Sequence, residues 1–157
     1  MATLVLGMGN PILSDDGVGL HVAERLAREP LPAGVVVDQS EVGGLRFLDL
    51  VRGFTKVYVV DALQSGRHPG EVVKLAGKDF EGGHRYGSAH SISLGTALEL
   101  GRRLGYEMPE DVTVYAVEAY DVETFGEKLS APVEGAVERV VKMIREDIAR
   151  CAGSARG

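Results

Sequence analysis

The sequence predicts an α/β protein: a three-layer α/β/α sandwich around a five-stranded, mostly parallel sheet with one antiparallel edge strand. Three observations carry this. Short apolar runs alternate with segments of helical periodicity in the order βαβαββαβα. The runs are apolar at nearly every position, above all Lys56–Asp61 (Lys-Val-Tyr-Val-Val-Asp), as expected of strands buried on both faces. The link between the third and fourth strands lacks a helical pattern and is shorter than the roughly dozen residues of a parallel crossover, so the fourth strand is expected antiparallel, at an edge.

In chain order, Leu4–Leu6 is the first strand, followed by a Gly7-Met8-Gly9-Asn10-Pro11 turn. A helix follows, with Val18, Val22, Ala23 and Leu26 on its apolar side. Ser14 or Asp15 is its expected N-cap, since a short oxygen-bearing side chain accepts the first free amides. Pro30 and Pro32 break the chain before the second strand, Gly34–Asp38. Gly43-Gly44 opens a short helix, Leu45–Val51, with Leu45, Leu48 and Val51 inward, and Gly53 closes it. Lys56–Asp61 and Glu71–Leu75 are the third and fourth strands. Residues 76–88 form the longest loop, rich in glycine, and a loop of that length is expected to be functional or mobile. Ser91–Leu104 is a helix, Asp111–Val117 the fifth strand, and Pro132 opens a last helix to about Ala149. Its stripe of Val133, Ala136, Val137, Val140, Val141, Ile144 and Ile148 faces the core. Residues 1–152 are expected to form one domain, with a disordered tail over 153–157.

Composition narrows the function. The 157 residues are 45% hydrophobic, enough for a buried core. A net charge of -6 without a basic block argues against nucleic acid and anionic membranes as partners. No apolar run approaches a membrane span and no basic segment precedes the first apolar stretch, so a cytoplasmic protein is expected. The lone Cys151 fits a reducing compartment and reads as packing or partial exposure.

The chemistry gathers where open α/β sheets bind ligands, at the carboxyl ends of the strands. Asp16 follows the first strand and Asp61 ends the third; strands one and three are expected to be neighbours, which brings both carboxylates to one edge. His90 stands at the entry of the third helix, in Gly87-Ser88-Ala89-His90-Ser91. If that helix starts at the same edge, the O, O, N set suits a borderline divalent ion such as nickel or zinc. The Gly-x-Gly turn also invites a dinucleotide reading, with Asp38 as its downstream acid. Ile12 stands where the third glycine belongs, however, and Asp15 and Asp16 would repel a pyrophosphate. Plain alternatives stand beside each residue: a turn or cap for Asp61, a cap or surface group for His90. His21, His68 and His84 have no assigned role. Glu118 is either a partner of the site or solvated. There is no H-E-x-x-H, C-x-x-C pair or G-x-S-x-G elbow. From the residues alone, this is an α/β domain with a divalent-cation or hydrolytic site at Asp16, Asp61 and His90.

Three segments carry a resemblance. Leu-Gly-Met-Gly-Asn-Pro-Ile-Leu-Ser-Asp-Asp-Gly-Val-Gly, Val-Val-Asp-Ala around Asp61 and Ser-Ala-His-Ser-Ile-Ser-Leu around His90 resemble the signature segments of the [NiFe]-hydrogenase maturation proteases. The stretch from Val117 to Val133 is similar to that family's C-terminal region, and the match runs from residue 3 to about 148. The resemblance implies an endopeptidase, cytoplasmic and without an organic cofactor. Its implied partner is the hydrogenase large-subunit precursor, whose C-terminal extension it removes once nickel is installed. It implies that Asp16, Asp61 and His90 are both the catalytic residues and the metal ligands, completing the coordination of nickel that arrives with the substrate. The ion would polarise the scissile carbonyl or lower the pKa of a bound water. Asp16 stands where the family often has Glu. The family's Asp-Gly-Gly-Thr-like segment is replaced by Asp38-Gln39-Ser40-Glu41-Val42-Gly43-Gly44, at a loop that borders the site. A competing reading is a non-enzymatic, nickel-dependent checkpoint or chaperone. The loop before His90 is expected to act as a gate for the incoming tail.

Overall fold

Parallel pairing joins β1 (Thr3–Met8) to β2 (Val35–Ser40) and to β3 (Lys56–Leu63), and β3 to β5 (Asp111–Glu118). The last strand, β4 (Val72–Ala76), runs antiparallel to β5, giving the order β2-β1-β3-β5-β4. The α/β fold with one antiparallel edge strand is therefore as predicted. The short link from β3 cannot carry a crossover, so β4 passes its neighbour and closes on the far side of β5. The computed structural model describes residues 2–41, 45–76 and 94–155.

Among the described residues four helices cover the sheet: α1 (Val18–Ala27), α2 (Leu45–Val51), α3 (Leu94–Arg103) and α4 (Ala131–Ala155). Alternation along each strand divides the core in two. Leu4, Leu6, Met8, Val57, Val59 and Leu63 meet Phe47, Leu48 and Val51 of α2 and Leu94, Ala97 and Leu98 of α3. Val5, Tyr58, Val60, Ala62 and Val117 face α1 and the full apolar stripe predicted for α4. Among the described residues no helix is long and apolar enough to cross a membrane.

The element boundaries shift in places. Asp61 does not end its strand: β3 continues to Leu63 because β5 offers partners through Ala62↔Val117 and Leu63↔Glu118. The last helix runs past Ala149 to Ala155, so Gly153–Ala155, expected in the tail, prolong it. Once nucleated, a helix gains a hydrogen bond for each residue added, and no strong stop signal precedes Gly153. Neither Ser14 nor Asp15 caps α1. Ser14–Gly17 is a 3-10 turn, and α1 starts after Gly17 with no side-chain cap. His84, His90, the loop over 77–88 and the end of the Asp38–Gly44 segment lie outside the described residues.

Candidate functional site

The site is built where α1 lies almost in contact with the sheet. A Cβ on Gly19 would stand 2.2 Å from the Val60 carbonyl oxygen and 2.4 Å from that of Met8. One on Gly9, whose φ is +152°, would stand 2.0 Å from the Asp16 carbonyl oxygen. The glycines of the first turn thus serve backbone approach, not a phosphate. They press the Asp16 turn onto the end of β1.

Asp61 belongs to the same edge. Gly7 pairs with Val60, which puts Asp61 beside Met8 on the face covered by α2 and α3. Its side chain is buried, 3% exposed, and Oδ1 accepts from the Ala62 amide at 2.8 Å. Asp16 is half-buried, and Oδ2 accepts from the Asn10 amide at 3.1 Å. Two acids far apart in sequence thus lie just past the end of β1 and near the end of the adjacent parallel strand β3, where open α/β sheets bind ligands. Two such carboxylates are a fitting oxygen donor set for a divalent ion. Among the described residues no three metal-ligating side chains cluster, and His90 lies outside them.

The 119–130 connection, a polar link in the sequence, closes over this turn. Asp15 is fully buried. Its Oδ1 accepts from the Ser130 amide at 2.7 Å, and its Oδ2 accepts from the amides of Tyr120 and Asp121 at 2.9 Å each and from the Ser130 hydroxyl at 2.7 Å. Ser14 donates its hydroxyl to the Thr124 carbonyl at 2.7 Å and sits at φ 52°, in left-handed backbone that those bonds hold in place. Ser14 and Gly126 share an amide-to-carbonyl bond of 2.9 Å, and Leu13 bridges to Gly126. Within the loop, the hydroxyl and amide of Thr124 and the amide of Glu123 hold the Asp121 carboxyl below its usual range. The sequence signal for this knot is the doubled acid beside Asp16, which reads in sequence as a helix cap and in the fold caps nothing.

Other polar residues have structural roles. Glu118 is buried, not solvated: its carboxylate accepts from the Ser65 amide at 2.7 Å and the Arg67 amide at 2.8 Å, fixing the loop after β3. His21 donates from Nε2 to the Glu127 carbonyl at 3.0 Å. His68 is exposed. Cys151 is exposed, 4.0 Å from the Tyr58 hydroxyl.

This arrangement places the chain among the open-sheet α/β proteins that work at the carboxyl ends of their strands. Comparison with known proteins makes the class specific. The family model described as hydrogenase maturation protease matches residues 20–147, and the chain belongs to that family, a family of endopeptidases acting in hydrogenase maturation. It is 28% identical over 152 residues to the hydrogenase 2 maturation protease of Escherichia coli, covering 93% of this chain and 92% of that one. To the hydrogenase expression/formation protein HupD of Rhodobacter capsulatus it is 28% identical, over 91% of this chain and 70% of the relative. The solved structure of the hydrogenase maturating endopeptidase HybD from E. coli superposes with a TM-score of 0.80 at 24% identity, over 96% of this chain and 94% of that one. The [NiFe] hydrogenase maturation protease HybD from Thermococcus kodakarensis gives 0.73 at 27% identity, over 93% and 98%.

Proposed function

We propose that this protein removes the C-terminal extension of a [NiFe]-hydrogenase large-subunit precursor after nickel insertion, and that it reads the nickel carried by that substrate. The observation supporting this is the placement of Asp16 just after β1 and of Asp61 near the end of the adjacent strand β3, in a chain of the maturation protease family. Each carboxylate accepts a neighbouring backbone amide, so each is oriented before substrate arrives. Two acids alone hold a divalent ion weakly. That suits a site meant to engage an ion already bound to its substrate, with His90 as the third ligand of this chain. A divalent nickel in this position supplies Lewis acidity, toward the scissile carbonyl or a water. No organic cofactor is required, and neither nucleic acid nor membrane enters the reaction. The setting is the cytoplasm, where nickel insertion precedes the cut.

The test is incubation of the purified protein with nickel-loaded and nickel-free precursor, followed by intact-mass measurement. Loss of a C-terminal fragment from the nickel-loaded form alone is the expected result. Binding of the loaded precursor without mass loss would establish the checkpoint reading instead. Equal cleavage of both forms would overturn recognition through nickel.

A further inference from the structure

Among the described residues six large hydrophobic side chains are exposed, and three of them crowd the two loops that build the Asp16 turn: Ile12 (51% exposed), Tyr120 (74%) and Phe125 (80%). The other three, Val36, Leu100 and Leu104, lie on β2 and at α3. Ile12 and Phe125 occupy corresponding positions on the two loops. The Leu13–Gly126 bridge is parallel, so the residues just before it face each other, and the Gly126 amide donates to the Ile12 carbonyl at 2.8 Å. Tyr120 lies on the segment of the same loop whose amides the buried Asp15 carboxylate holds.

A loose linker can turn its aromatic groups inward. This one is tied down along its length, so its apolar groups are held in water on a rigid support. Rigid aromatic anchors of this kind give contact area at low entropic cost and are typical centres of protein–protein binding energy. Their place supplies the occupant. Ile12 and Asp16 sit on one turn, closed by the bond from the Asn10 amide to Asp16, so a protein whose metal reaches Asp16 passes over this rim. We propose that Ile12, Phe125 and Tyr120 form the docking patch for the folded body of the nickel-bearing precursor, which meets them through apolar surface beside its tail. This rests on the proposed function.

Steady-state processing of nickel-loaded precursor tests it, with Ile12→Ser/Phe125→Ser and Tyr120→Ser compared with the wild type. The patch variants should raise KM about tenfold or more, with kcat and melting temperature unchanged. Phe125→Leu should recover part of the loss. Val36→Ser and Leu104→Ser, exposed but remote, should leave KM unchanged. Normal KM in the patch variants, or an equal rise in the remote controls, overturns the docking patch while wild-type cleavage still upholds the function. Failure of the wild type to bind the precursor overturns both readings, and is seen in the wild-type arm alone.

Discussion

Replacing Asp15 measures how far the buried knot holds the site. In Asp15→Asn the amide oxygen can take the Oδ2 place and accept from Tyr120, Asp121 and the Ser130 hydroxyl. The new NH2 then faces the Ser130 amide, donor against donor. Losing one charge-assisted bond and stranding one amide should cost about 2–3 kcal/mol. Asp15→Ala strands the amides of Tyr120, Asp121 and Ser130 together; at about 1–3 kcal/mol each, relieved in part by entering water, the cost is about 3–6 kcal/mol. Against a typical domain stability of about 5–15 kcal/mol, the Asn variant folds and the Ala variant approaches the limit. Ser130→Ala removes one hydroxyl bond and should cost about 1 kcal/mol. Because both changes act on one network, the double variant Asp15→Asn/Ser130→Ala should cost less than their sum. Urea unfolding gives the energies, and hydrogen exchange at Tyr120, Asp121 and Ser130 gives the local effect. An Asp15→Asn midpoint equal to wild type, with unchanged exchange at those amides, would refute the reasoning.

Asp16→Asn, Asp61→Asn and His90→Ala should each lower precursor processing by at least about 100-fold, since even outer partners of a metal ligand are worth about 10–100-fold; normal turnover by any one, measured by mass shift, removes that residue from the site. The Asp16 variant should melt within about 0.5 kcal/mol of wild type, as a partly exposed polar change does. Gly19→Ala sets a methyl 2.2 Å from the Val60 carbonyl oxygen and should destabilise by about 1–3 kcal/mol, read by urea unfolding. Burial, and then the neighbouring Tyr58, push the Tyr115 hydroxyl up to about 12, and burial raises Tyr58 as well. Both tyrosines are therefore kept protonated by folding: their contribution is complete below the ordinary value of 10.0, and that of Tyr115 is lost as pH rises through about 12, that of Tyr58 higher still. Urea midpoints should hold up to that lower value and fall above it, and Tyr115→Phe should flatten the fall.

The sequence by itself determined the elements and their kind, because periodicity is local. The apolar run at Lys56–Asp61 could only be a doubly covered strand, and the stripe from Val133 to Ile148 could only be one helix face. It also offered Asp16 and Asp61 as candidates, since an acid next to a strand's carboxyl end stands out against an apolar run, and His90, which lies outside the described residues. Tertiary structure decided what short-range pattern does not encode. The partner of β4 depends on which edge is free once β5 is in place. The length of β3 depends on where β5 stops offering hydrogen bonds. Asp15 looked like a cap because capping is a rule about neighbours in sequence, yet its partners lie across the fold, at Tyr120, Asp121 and Ser130. Glu118 reads in sequence as either a site partner or a solvated group for the same reason: only the folded chain brings the Ser65 and Arg67 amides to it. A buried carboxylate needs donors, and where they come from is settled when distant segments meet, not by the residues on either side.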